Sequence, residues 1–256
     1  MPMSRAARGG IVATIVLSGV VAGGCPLERK MSLEVIDAPL RARGIELNGV
    51  AGPGESMQLG PYAVTQVQRE RSSRGEALLA AALPRPASFH QLRFELQAPQ
   101  GRAWQAHCEA QRRQARNPDL AGELDESHDE VGLVCRFAGP DQDRWTLRVT
   151  GNIGRGLSGE LRAASVPGPA GGEPEPGALA FEAEVIVRRS FVRGVVDREL
   201  PIPVAQLRRK KQAAAAMLLE APERAWLAPG LGGPDRELAV VAMMALRLLP
   251  VGPSEL

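Results

Sequence analysis

The sequence is poor in aromatic residues: its 256 residues include five phenylalanines, three tryptophans and one tyrosine. Proteins that bind single-stranded nucleic acid stack the bases on aromatic side chains, so this scarcity argues against such a platform. The net charge is also small, +2 at neutral pH. A balance this close to zero implies neither nucleic acid nor a strongly acidic partner.

Lysine and cysteine are scarce as well. Lys30, Lys210 and Lys211 are the only lysines, and the excess of arginine, alanine, glycine and proline is typical of a GC-rich genome. The three cysteines, Cys25, Cys108 and Cys135, include no CxxC pair, the usual mark of a structural zinc site. This composition therefore predicts neither a zinc module nor disorder.

The amino terminus has the three parts of an export signal. Arg5 and Arg8 are basic, residues 11–21 are apolar, and the small residues 22–24 precede Cys25. This pattern resembles a bacterial lipoprotein signal peptide, although Ala22 stands where leucine is commonest. The resemblance implies removal of residues 1–24, a lipidated (palmitate-bearing) Cys25 anchored in a membrane of the cell envelope, and a short tether over residues 25–30. Ordinary cleavage and an uncleaved anchor stay open, and all three routes export the chain.

Export determines how the other two cysteines are interpreted. In an oxidising compartment Cys108 and Cys135 are most simply a disulfide. A zinc site built from His107, Cys108, His128 and Cys135 is the alternative by residue type. Adjacent strand residues point to opposite faces, however, so His107 and Cys108 could not reach one ion without distortion.

The middle of the chain alternates apolar and polar residues, which is typical of half-buried strands. Four such strands joined by short connections predict an antiparallel meander with both cysteines on its apolar face. Their apolar residues are Leu92, Phe94 and Leu96; Trp104, Ala106 and Cys108; Val131, Leu133, Cys135 and Phe137; and Trp145, Leu147 and Val149.

The flanking regions give further strands. Residues 32–37, with a pairing segment through Leu47, and residues 62–67, 179–187 and 225–227 have strand patterns, and residues 153–161 suggest a bent edge or corner strand. Residues 69–74 and 166–177 are predicted loops, while residues 77–83 are ambiguous. Residues 205–220 divide the evidence: propensity predicts a helix, whereas context favours a hairpin that turns near residues 209–212.

The last apolar segment, residues 235–249, is predicted to be a helix. Its apolar residues fall on every side, and a helix that is apolar all round has to be buried. At 1.5 Å per residue it reaches about 22 Å, short of the roughly 30 Å of a bilayer core. A helix enclosed by protein is therefore expected.

About a dozen short strands followed by a wholly apolar helix resemble the tubby C-terminal and LURP-one type barrel. That resemblance covers most of residues 31–249 and is one of order and pattern. It implies a mainly β single domain over residues 31–256, in which a closed antiparallel barrel surrounds or packs on the C-terminal helix. A β-sandwich with an appended helix is the alternative. Members of the family associate with membranes or phosphoinositides, but no motif transfers a site to this chain.

Catalytic and cofactor motifs are weak. Residues 154–159 match GxGxxG without the helix that a dinucleotide site requires. Ser158 lacks the second glycine of a nucleophile elbow, and the acidic residues between 119 and 130 lack calcium-loop spacing. We therefore expect no catalytic residues, no metal and no cofactor, and a hydrolase is the least favoured alternative.

Basic residues cluster in two places, at Arg188, Arg189, Arg193 and Arg198, and at Arg208, Arg209, Lys210 and Lys211. A solvated surface is the ordinary explanation, and contact with anionic lipid is the alternative, assigned here to residues 208–211. The sequence thus predicts a lipid-anchored envelope protein that acts as a non-enzymatic binding or scaffolding module. A phospholipid-handling barrel is the second hypothesis, and the partner is an envelope protein or an anionic lipid.

Overall fold

A computed structural model of the protein describes residues 36–51, 56–71, 87–113, 130–141, 143–152, 156–164, 177–192, 198–219 and 224–248. Twelve antiparallel strands form a closed barrel. They are β1 (Ile45–Ala51), β2 (Met57–Leu59), β3 (Tyr62–Arg71), β4 (Ala87–Gln97), β5 (Ala103–Arg113), β6 (Glu130–Ala138), β7 (Arg144–Asn152), β8 (Gly156–Ala163), β9 (Leu179–Val192), β10 (Arg198–Arg209), β11 (Gln212–Leu218) and β12 (Arg224–Leu227).

The strand order is a simple meander. Each strand pairs with the next one along the chain, and β1 closes the barrel by pairing with β12. The four central strands, β4 to β7, confirm the predicted meander, and the closure of the sheet excludes the β-sandwich alternative. Because β1 pairs with β12, the sheet closes on itself and has no terminal strand.

A helix, Gly233–Leu248, fills the interior of the barrel. The residues from Leu238 to Leu246 are each at most 1% exposed, and such a run includes every side of a helix. They form one hydrophobic cluster with the inward residues of the strands. The predicted buried helix is therefore confirmed, with Arg247 in its last turn. No helix in the part of the chain that the structure describes is long and apolar enough to span a membrane.

Strands β10 and β11 confirm the predicted hairpin and its turn. Lys210 and Lys211 form the turn, both with positive φ. Helix propensity misleads here because β11 is buried on both faces. Ala215 belongs to the interior cluster that contains the helix, and Ala216 belongs to a second buried cluster on the outside of the barrel. Small side chains let the strand pass between two packed layers, which is why this strand shows no alternation.

The outer layer is a short helix, Ala38–Arg43, that precedes β1. Ile36 and Leu40 pack against the outer faces of β10, β11 and β12, where Trp226 is 1% exposed. The sequence predicted a strand over residues 32–37 with a pairing segment through Leu47. That prediction was wrong for residues 36–43, because Leu40 in the helix and Ile36 just before it together cover an apolar patch of the barrel. Residues 32–35 lie outside the described residues.

Two further predictions need correction. The charged segment predicted to leave the sheet at Arg69 instead continues β3 to Arg71. Of the two alternatives for the glycine-interrupted strand β8, an edge or a corner strand, the edge strand is excluded, since β8 pairs with both β7 and β9. Gly159 is required in β8 because a Cβ there would lie 1.8 Å from the Arg148 carbonyl oxygen. Residues 77–83, residues 166–176 and the acidic residues before Glu130 lie outside the described residues.

Candidate functional site

The predicted disulfide is present between Cys108 and Cys135. The two residues are direct cross-strand partners on β5 and β6, with Cα atoms 4.0 Å apart, and both are fully buried in the barrel interior. Strand alternation then turns the neighbouring His107 to the outer face, where its side chain is 38% exposed. The bridge engages both cysteines of the zinc alternative, and His128 lies outside the described residues.

The four basic residues assigned to lipid contact have different surroundings. Arg208 Nε lies 3.6 Å from Glu184 Oε2, and Arg209 Nη1 lies 2.7 Å from Asp235 Oδ2. The Arg209 guanidinium also lies over the Phe181 ring, 5.0 Å from its centroid. Lys210 and Lys211 are exposed at the tip of the hairpin and have no acidic partner among the described residues. Cys25 and Arg193 lie outside the described residues.

Glu237 joins the interior helix to the barrel wall. Its carboxylate is buried and accepts hydrogen bonds from Trp104 Nε1 at 2.9 Å and from Arg102 Nε at 3.1 Å. Arg102 also bonds Asp141 at 3.0 Å. A buried carboxylate is tolerated only when its charge is paired and its oxygens are hydrogen-bonded. The contacts meet both conditions, so Glu237 fixes the depth of the helix in the barrel.

Two side chains at the same end of the barrel, Arg102 and Tyr62, have raised pKa values. The hydrogen bond to Glu237 is the largest cause of a raised pKa for the Arg102 guanidinium. Burial raises the pKa of the Tyr62 hydroxyl; the charge of Arg236 opposes this rise and that of Glu237 adds to it. Both groups keep their neutral-pH charge state in the folded protein. At neutral pH this end of the barrel therefore holds a charged Arg102 and a neutral Tyr62 beside Glu237.

A groove of about 830 Å³ crosses the outer face of the barrel from β3 to β7. Its central row consists of direct cross-strand neighbours, Gln68 on β3, Arg93 on β4, His107 on β5, Arg136 on β6 and Thr146 on β7. Outward side chains of neighbouring strands that share a register position lie side by side. The polar residues of five strands therefore line up across the groove.

A second row runs beside the first and contains Glu95, Gln105, Ala138 and Arg144. The β3 wall carries a bulge between Thr65 and Gln68, where Gln66 has a φ of 55°. Gln66 donates a hydrogen bond to Glu95 at 3.5 Å. Bulges re-aim side chains and are frequent beside functional sites, and this one brings an extra amide to the groove.

The groove has more cationic than anionic side chains. Arg93, Arg136 and Arg144 line it, against the single carboxylate of Glu95. Arg136 lies 3.5 Å from Glu109 Oε1, which is outside the groove, whereas Arg93 and Arg144 have no ion-pair partner in the described part of the chain. The buried His107 Nε2 has no hydrogen-bond partner there either and lies 4.0 Å from Glu109. Arg93 and Arg144 are exposed and therefore available to a ligand.

Comparison of the chain with protein families, curated proteins and solved structures found no match.

Sequence patterns did not identify the groove or the Glu237 contacts. The groove joins residues from five strands, and their register is needed to bring Arg93, His107 and Arg136 into one row. One signal was present: the outward positions of β4 and β5 carry long hydrogen-bonding side chains at successive alternate places. Glu237 lies within the segment predicted to be a buried helix, and a carboxylate there predicts a partner on the surrounding wall.

Proposed function

We propose that the protein is a lipid-anchored envelope protein whose barrel acts as a non-enzymatic binding module at a membrane surface. The observation that carries this proposal is the outer groove with its unpartnered cationic and amide groups. Because the helix occupies the barrel interior, ligands meet the outer wall. The buried disulfide fits an oxidising compartment, and the closed barrel around a C-terminal helix supports the resemblance to tubby and LURP-one proteins.

The anchor is tested by metabolic labelling with a palmitate analogue. The wild-type chain is expected to take up label and Cys25→Ala to take up none, with Glu28→Gln as a neighbouring control that keeps the label. Membrane fractionation of the same three proteins measures attachment. Label that persists in Cys25→Ala would defeat the anchor, whereas loss of label in all three would point to general failure of export.

A second candidate function is recognition of anionic phospholipid by the hairpin tip. It is favoured by the exposure of Lys210 and Lys211 and by their lack of acidic neighbours in the described ranges. Each lysine near an anionic surface contributes about 1 kcal/mol. Arg208 and Arg209 already have carboxylate partners, so they add less to such a contact.

The hairpin offers a clean variant for this second candidate. Both turn residues have positive φ, the conformation in which Asn-Gly is preferred, so Lys210→Asn with Lys211→Gly removes two charges while favouring the fold. The full chain is reconstituted in neutral phosphatidylcholine bilayers on beads, and capture of phosphatidylglycerol vesicles from solution is measured. Lipid recognition predicts salt-sensitive capture that the double variant loses. Equal capture by both proteins would exclude the hairpin tip as the lipid contact.

A further inference from the structure

We infer that the outer groove binds an acidic saccharide, a sugar chain that carries carboxylate groups. The inference names the ligand class of the proposed binding module and rests on that proposal for its setting. It is carried by the two rows of side chains across β3 to β7 and by the exposed arginines and amides among them that have no partner in the described part of the chain.

The spacing of the charges favours a chain over a single ion. Arg93 and Arg136 lie on either side of His107 in one row, and adjacent strands are about 4.8 Å apart, which separates the two arginine backbones by about 10 Å. Arg144 adds a third charge from β7. One small anion would contact one guanidinium well, whereas a chain with repeated carboxylates can pair with successive arginines through bidentate hydrogen bonds.

The neutral groups between the arginines suit hydroxyls. Gln68 and Gln105 are exposed and have no partner among the described residues, and Thr146 lies beside Arg136. Amides and hydroxyls both donate and accept hydrogen bonds, as sugar hydroxyls do. The His107 side chain lies between Arg93 and Arg136 in the central row.

The shape of the groove agrees with this ligand. It extends over four strand spacings, about 19 Å, and is open to solvent along its length. Glu95, the one carboxylate in the groove, already accepts hydrogen bonds from Gln66 and Gln97, at 3.5 and 3.4 Å. Its negative charge thus lies among amides at one side, while the arginines span the rest.

The test uses the full chain purified in detergent and isothermal calorimetry with four probes. They are oligogalacturonate, its methyl-esterified form, polyglutamate and inorganic phosphate. The inference predicts binding of oligogalacturonate, and at least about tenfold weaker binding of the ester, which lacks the charges, and of polyglutamate, which lacks the hydroxyls. Tighter binding of phosphate or polyglutamate than of oligogalacturonate would overturn it.

Variants locate the site. Arg93→Gln and Arg136→Gln are each expected to weaken oligogalacturonate binding about tenfold, the effect of losing one charge-assisted contact. Arg148→Gln is the matched control, because Arg148 is exposed on the outer face of β7 but does not line the groove. It should change affinity less than about twofold. Equal losses in all three variants would assign the binding to general surface charge and overturn the site.

A direct signal separates groove occupancy from unfolding. The chain has three histidines, so selective histidine labelling gives few NMR signals, and His107→Gln identifies the one from the groove. Oligogalacturonate is expected to move that signal and to leave the His90 signal in place, because His90 does not line the groove. An unmoved His107 signal under saturating saccharide would overturn the inference even if the anchoring experiments succeed. Conversely, a moved signal in a chain that lacks lipid would leave the inference standing without the anchor.

Discussion

Trp104 Nε1 donates a hydrogen bond of 2.9 Å to Glu237 Oε2, so that a side chain of β5 holds the first turns of the interior helix. The relationship spans 133 residues of sequence. Gly139 makes room for it, because a Cβ at that position would lie 3.0 Å from the Trp104 ring. The apolar helix could slide along an apolar wall, and the directional bonds that Glu237 accepts from Trp104 and Arg102 fix its position.

Trp104→Phe should therefore lower the free energy of unfolding by about 1–3 kcal/mol, since Glu237 stays buried with one donor fewer. Denaturant unfolding followed by circular dichroism measures the loss. Trp145→Phe makes the same chemical change at a half-buried position whose indole has no partner among the described residues, and it should cost less. Equal losses in the two variants would assign the effect to ring size.

Tyr62 predicts an alkaline limit of stability. Burial raises the pKa of its hydroxyl in the folded protein above the value of about 10 found in an unfolded chain. The folded state then holds its proton more tightly, so this contribution to stability is complete below pH 10 and is lost as the pH rises through the folded pKa. Tyr62 is the only tyrosine, and tyrosinate absorbance reports its titration directly.

The control for this titration is Tyr62→Phe, which keeps the ring and removes the ionisable group. Its stability should fall less steeply above pH 10 than that of the wild type. A tyrosinate midpoint at or below that of the urea-unfolded chain would contradict the prediction.

Removal of the Cys108–Cys135 disulfide should also lower the free energy of unfolding. Cys108 and Cys135 close a loop of sequence separation 27, and on the chain-entropy account a bridge of this length contributes about 3.5 kcal/mol by restricting the unfolded state. The double variant Cys108→Ala/Cys135→Ala should lose roughly that amount in non-reducing denaturant unfolding. Reduced and oxidised wild-type chains of equal stability would show that the bridge adds nothing.

Local alternation was sufficient to predict β4 to β7, because a strand with one solvent-exposed and one buried face alternates polar and apolar residues along its sequence. It was insufficient for β11, whose alanines are buried on both faces, and for the helix at Ala38–Arg43, which is too short to show a period. The groove depended on register across five strands. Arg93 and Arg136 are 43 positions apart in the sequence, and no local pattern relates them.

Met244→Asp tests whether the last helix is structural. Met244 is fully buried at the centre of the barrel, and an aspartate there would be either an unpaired charge or an unsatisfied polar group, which costs several kcal/mol. The variant should fail to fold, as judged by the loss of cooperative thermal unfolding. Val50→Asp is the matched control, because Val50 is 65% exposed on β1 and its replacement should cost less than about 0.5 kcal/mol. A folded Met244→Asp protein released from membranes would instead make the helix a membrane element.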